Sequence, residues 1–166
     1  MSLFRAAFIL LMLSLASACG FQPLYGSATR NADVQEKLAR TYIEPIPGRT
    51  GQTLRNELLD LANPYGSPAD PAYRLTIRLE EQSEGLAIQD DDTRTRFNMM
   101  LHSRFDLVDL ATQQVIYSGS TQNIAAYNVV ESEFANLAAG NNARRRAALV
   151  AAEQINQQLS VFFSGR

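Results

Sequence analysis

The sequence contains little of the chemistry that catalytic and metal sites usually need. Its 166 residues include one cysteine (Cys19), one histidine (His102) and no tryptophan. A disulfide requires two cysteines, and a zinc site usually takes several ligands from cysteine and histidine. The composition therefore argues against a disulfide, a zinc site built on cysteine and histidine, and a catalytic Cys/His pair. We predict no metal site and no cofactor.

The charge is also nearly balanced, with 15 basic and 17 acidic residues. Because no strong positive potential results, nothing in the composition favours binding to nucleic acid or to an anionic bilayer surface. The length and an apolar content of 46% suit one hydrophobic core of ordinary size. We predict one domain and no nucleic-acid partner.

The first 18 residues have the order of an export signal. Arg5 precedes the apolar run 6–15, and the small residues 16–18 stand directly before Cys19. The run is about half the roughly 20 residues that a transmembrane helix needs. Residues 1–18 are therefore predicted to be a cleaved signal peptide.

The segment from Leu15 to Cys19 resembles a bacterial lipobox, although Ala16 occupies the place where leucine is usual. The resemblance implies a lipid on the Cys19 thiol, and two or more acyl chains would anchor the protein stably. By similarity to enterobacterial lipoproteins, Gly20 implies the periplasmic side of the outer membrane. The alternative is an ordinary export signal with a chance cysteine beside its cleavage site.

Periodicity predicts a tether at residues 19–40, with a short helical possibility at 32–38, and an α+β domain at 41–166. Apolar residues alternate along each predicted strand, and each predicted helix has one apolar stripe. The elements are a strand at 41–46 whose Pro45 lies at an edge or end, a turn at 48–51, a helix at 53–62, strands at 73–80, 96–107 and 115–121, and a helix at 143–163. Tyr127 is an alternative end for the fourth strand.

This β-α-β-β-β-α order predicts a two-layer α+β sandwich, in which two helices cover one face of a four-stranded mixed sheet. The helix between the first two strands predicts a parallel crossover, and the remaining strands predict an antiparallel meander.

Several arginines share one strand parity, so the polar face of the sheet is the candidate binding surface. They are Arg74, Arg78, Arg94, Arg96 and Arg104. Guanidinium groups pair bidentately with phosphate, which suits a phosphorylated glycolipid. The alternative is that these arginines only solubilise the face and pair with Glu80 and Asp106. Residues 144–146, three arginines at the predicted start of the last helix, either meet an acidic partner or form a solvated cap.

No pattern in the sequence indicates catalysis. His102 has no neighbouring nucleophile motif, and residues 48–51 lack the spacing and the lysine of a phosphate-binding loop. The acidic run 90–92 suits a solvated hairpin. We therefore predict that the protein is not an enzyme.

The string CGFQPLYG at residues 19–26, followed by this order of elements, resembles the lipopolysaccharide-assembly lipoprotein family LptE in its alphaproteobacterial form. The resemblance implies an outer-membrane lipoprotein that plugs the β-barrel LptD, assists its assembly and the insertion of lipopolysaccharide into the outer leaflet, and binds lipopolysaccharide through basic residues. No motif inside the sheet allows the family's ligand positions to be transferred. Two alternatives stay open: a generic structural lipoprotein without a barrel partner, and an anchored hydrolase dependent on His102.

The processing prediction centres on Cys19. Blocking the lipoprotein signal peptidase should leave a precursor heavier by residues 1–18, and Cys19→Ala should abolish labelling with radioactive fatty acid because the acceptor thiol is gone. A Cys19→Ala protein that still matures to a labelled species would contradict the anchor.

Overall fold

The computed structural model describes residues 28–64, 66–86 and 96–165. The predicted signal peptide, Cys19, the first part of the predicted tether (19–27) and the acidic run 90–92 lie outside the described residues. In chain order the elements are α1 (Ala28–Ala39), β1 (Thr41–Ile43), α2 (Gly48–Ala62), β2 (Tyr73–Leu86), β3 (Arg96–Asp109), β4 (Gln114–Asn128) and α3 (Glu133–Ser164). The compact unit that contains the sheet begins at Ala32, and Leu38 of α1 is part of its core.

The four strands form one mixed sheet in the order β1-β2-β3-β4. β1 pairs in parallel with β2 from Thr41 opposite Tyr73 to Ile43 opposite Leu75. β2 to β4 form an antiparallel meander, with one register shift at Leu107 in the pairing of β3 with β4. The predicted α+β class and mixed sheet are confirmed.

Two predicted boundaries at the start of the domain are wrong. β1 ends at Ile43, two residues before Pro45, which has no N–H group for a sheet ladder. The predicted turn at 48–51 is instead the first turn of α2, which begins directly after Pro47. Gly51 packs against the segment that leads into α2, since an added Cβ would lie 2.6 Å from Ile46 Cγ2.

The last helix also begins earlier than the predicted Ala143. α3 starts at Glu133, and the Ser132 hydroxyl accepts a hydrogen bond from the Ala135 N–H at 3.4 Å. That interaction is an N-cap, which supplies an acceptor to a helix N–H group that has no intrahelical partner. Residues 133–142, which the prediction left outside the helix, are therefore helical.

The core lies between one face of the sheet and helices α2 and α3. Buried residues of this face include Leu75, Ile77, Met99, Leu101, Phe105 and Leu107, and the helices contribute Leu54, Leu58, Ile155, Leu159, Phe163 and a series of alanines. Because these strand residues share one parity, the opposite face carries the polar side chains. We call that opposite face the open face.

The assignment of the core predicts the effect of buried charge. Leu58→Asp and Ile155→Asp should each unfold the domain, because both side chains are no more than 1% exposed, and an unpaired buried charge costs several kcal/mol against a total stability of roughly 5–15 kcal/mol. Leu137→Asp is the matched control, since Leu137 is 63% exposed. Circular dichroism melting should show loss of the transition for the first two variants only. An unchanged melting temperature in either core variant would contradict the assignment of the helix faces.

Candidate functional site

The structure places four of the five candidate arginines on the open face. Arg74 and Arg78 on β2 have the same parity as Arg96 and Arg104 on β3. Arg94 lies outside the described residues. The side chain of Arg78 is 73% exposed, so it is available to a ligand or a partner.

These arginines are spread along the sheet. Arg78 and Arg104 are direct cross-strand partners, whereas Arg96 lies opposite Leu86 at the far end of the hairpin. The strand between Arg104 and Arg96 spans roughly 26 Å at about 3.3 Å per residue. One phosphate group can therefore contact Arg78 and Arg104 together, and Arg96 would need a second group.

Carboxylates on the same face balance the arginines. Arg78 Nη1 lies 3.3 Å from Asp106 Oδ2, and Arg74 Nε lies 3.6 Å from Glu44 Oε1. Together with Glu80 and Glu84, these acids equal the four described arginines in number. The pairing with Asp106 matches one interaction expected if the arginines only solubilise the face. Glu80, the other expected partner, accepts a hydrogen bond from Gln82 Nε2 at 3.2 Å.

His102 also lies on the open face, where it is half-buried between its cross-strand partners Glu80 and Gln122. Within the described residues, no hydrogen bond joins it to a serine, threonine or cysteine side chain. Over the same residues, no group of three or more His, Cys, Asp or Glu side chains is arranged to hold a metal ion.

A cleft lies between the helices, beside the face of the sheet that they cover. Its volume is about 430 Å³, and it is lined by Arg49, Thr50, Thr53, Glu81, Asn141, Asn142, Arg144 and Arg145. Arg144 spans the cleft: its Nε donates to Glu81 Oε2 at 3.1 Å, and its Nη1 donates to Asn141 Oδ1 at 3.4 Å. We call this feature the interhelix cleft.

The arginine triplet 144–146 does not lie at the start of its helix, so the position predicted for it is wrong and it cannot be a cap. α3 begins at Glu133, and the triplet lies several turns farther along it. Arg144 and Arg145 line the interhelix cleft, while Arg146 Nη2 donates to the Ala126 carbonyl of β4 at 3.0 Å.

Sequence reasoning missed Arg49 and Thr50 because residues 48–51 were predicted to be a turn. Pro47, directly before the first helical residue, was the available signal for a helix start, since proline is favoured near helix N-termini.

No helix within the described residues is long and apolar enough to cross a membrane. No protein-family profile matches the chain, and no curated protein matches it.

Solved structures do resemble this one. A protein assigned as a lipoprotein from Caulobacter crescentus CB15 aligns with a TM-score of 0.70 at 24% identity, covering 82% of this chain and 99% of that chain. A minor lipoprotein from Acinetobacter baumannii aligns with a TM-score of 0.56 at 19% identity, covering 73% and 91%. The uncharacterized lipoprotein B from Nitrosomonas europaea aligns with a TM-score of 0.53 at 17% identity, covering 75% and 83%. At these identities the similarity establishes a fold shared with bacterial lipoproteins.

The open face generates a prediction about ligand binding. Charge reversal of Arg78 and Arg96 to Glu should weaken binding of lipopolysaccharide to the purified protein, because two phosphate-pairing groups become repulsive carboxylates. The melting temperature should change little, since an exposed ion pair such as Arg78–Asp106 contributes only about 0–1 kcal/mol. Lys37→Glu with Arg40→Glu, which makes the same change of charge on α1 and the residue after it, should leave binding unchanged. Equal binding by the open-face variant and the parent, at low and at physiological salt, would refute a phosphate-binding role for these arginines.

Proposed function

We propose that the chain is an outer-membrane lipoprotein of the LptE type, anchored through Cys19 on the periplasmic side. In this role it plugs the β-barrel LptD and assists its assembly and the insertion of lipopolysaccharide into the outer leaflet. The observation that carries the proposal is the string CGFQPLYG, directly after a lipobox-like segment, in a chain whose fold is shared with bacterial lipoproteins.

The open face has the composition that a barrel interior requires. Lumens of large outer-membrane barrels are polar, and the open face carries equal numbers of described arginines and carboxylates. Such a face complements a mixed, hydrated wall better than a bilayer or a uniformly charged polymer. We propose the open face as the surface that contacts the barrel.

A small apolar centre supports the same assignment. Ile124 is 59% exposed on β4, and its cross-strand partner Met100 is half-buried on β3. Interfaces commonly combine an apolar centre with a polar rim, and here the rim includes Gln122 and His102.

Lipopolysaccharide binding belongs to the same proposal. The adjacent pair Arg78 and Arg104 is the arrangement on the open face that suits one phosphate group, with Asp106 holding Arg78 when no ligand is bound. The role requires no catalytic residue, so replacing His102 should leave it intact. A hydrolytic activity that depends on His102 would favour the rival enzyme.

Affinity capture tests the partnership. The full chain, tagged at its C-terminus and extracted from native membranes in mild detergent, should bring down one large β-barrel in stoichiometric amount. An unrelated outer-membrane lipoprotein with the same tag is the control. Recovery of the tagged chain without a barrel would contradict the proposal and favour a generic structural lipoprotein.

A further inference from the structure

The interhelix cleft has an excess of positive charge that the proposed function does not use. Its lining holds three guanidinium groups, from Arg49, Arg144 and Arg145, and one carboxylate, from Glu81. Arg144 is paired with Glu81. The side chains of Arg49 and Arg145 make no hydrogen bond or ion pair to any other residue of the described structure. The cleft therefore has two unneutralised positive charges, in contrast to the balanced open face.

Thr50 adds an unpaired hydroxyl group to the lining of the cleft. This residue lines the cleft and is only 5% exposed, yet its hydroxyl has no hydrogen-bond partner in the part of the chain that the structure describes. The hydroxyl oxygen is not among the fully buried unpartnered atoms of the described residues, so it is accessible from the cleft. An oxygen atom of a bound molecule would provide that partner.

The start of α2 adds to the attraction for an anion. Pro47 gives the helix no side-chain cap, and the first turn contains no acidic residue. N–H groups in the first turn of a helix lack intrahelical acceptors and carry a partial positive charge, so they favour negatively charged groups. Arg49 and Thr50 belong to this turn, which places the N-terminal end of the 15-residue helix at the cleft.

We propose that the interhelix cleft binds a phosphate monoester. A phosphate monoester carries about −1.5 to −2 charges at neutral pH, which matches the net charge of the cleft, whereas a single carboxylate would leave one guanidinium group unpaired. The volume of about 430 Å³ leaves space for an organic group on the phosphate. The amides of Asn141 and Asn142 suit hydroxyl groups on that remainder, so a sugar phosphate or a phosphorylated lipid headgroup fits the lining.

This site is separate from the open face, since it lies beside the covered face of the sheet. The inference goes beyond the proposed function, and either can fail while the other stands.

Isothermal titration calorimetry on the full chain in a nonionic detergent tests the site. Inorganic phosphate and glucose 6-phosphate should both bind saturably near neutral pH, with glucose 6-phosphate the tighter, and glucose should not bind. Arg49→Gln with Arg145→Gln should weaken both affinities by about tenfold or more, because both charge-assisted contacts are lost. Lys37→Gln with Arg40→Gln removes the same charge from α1 and the residue after it, outside both the cleft and the candidate arginines of the open face, and should change neither affinity. Absence of binding to either phosphate, or equal weakening by the two double variants, would overturn the proposal.

Thr50→Val separates a ligand contact from a structural role. The substitution removes the hydroxyl and keeps the shape, so phosphate binding should weaken several-fold while the melting temperature stays the same or rises. Unchanged binding with a lower melting temperature would show that the hydroxyl serves the fold and would overturn its role at the site.

The source of the phosphate is resolved by a second titration with mixed micelles that carry phosphatidic acid. Tighter binding of these micelles than of glucose 6-phosphate, lost in Arg49→Gln with Arg145→Gln, would identify a lipid headgroup. Tighter binding of glucose 6-phosphate would identify a soluble sugar phosphate. Micelle binding that the double variant leaves unchanged would exclude the cleft as the lipid site.

Discussion

The packing of one long helix against one face of the sheet determines the arrangement of the domain. α3 has 32 residues and β4 has 15, so both extend about 50 Å at the usual rises per residue. The helix returns beneath β4, as the hydrogen bonds from Arg146 to the Ala126 carbonyl and from Gln158 to the Ser120 carbonyl show. α3 thereby covers one face of β4 along its length, and the opposite face of the sheet stays open.

Close approach of this helix requires small side chains on both sides. Ala143, Ala147, Ala148, Ala151 and Ala152 are at most 2% exposed, and they form most of the buried stripe of α3. On β4, Gly119 also allows the helix to approach the sheet closely. An added Cβ there would lie 2.7 Å from Gln158 Oε1 and 2.9 Å from Phe105 Cε1. The interhelix cleft follows from the same geometry, because α2 extends only about 22 Å beside strands twice that length and leaves the region near Glu81 uncovered.

Strand periodicity predicted the fold because large apolar residues such as Leu75, Ile77 and Phe105 alternate with polar ones. It failed where small residues form the contacts: Thr50 and Gly51 are buried in the first turn of α2 but carry little hydropathy signal. The start of α3 was missed because Phe134 and Leu137 are exposed, so its first turns have no buried stripe to detect. The four candidate arginines that the structure describes lie on the predicted polar face, and Arg94 is outside the described residues. Their ion pairs with carboxylates were harder to predict, since the contact between Arg78 and Asp106 depends on the pairing register of β2 and β3. Local sequence patterns could not predict the cleft, because its paired residues Arg144 and Glu81 are separated by 63 positions in the sequence.

The central claim is that the open face contacts a barrel partner while the helix layer does not. Photocrosslinking in cells tests it directly, with p-benzoylphenylalanine placed at Ile124 on the open face or at Val161 on α3, which are 59% and 55% exposed. The account predicts a crosslink to one large outer-membrane barrel from position 124 and none from position 161. A crosslink to the barrel from position 161 alone, or from neither position, would contradict it.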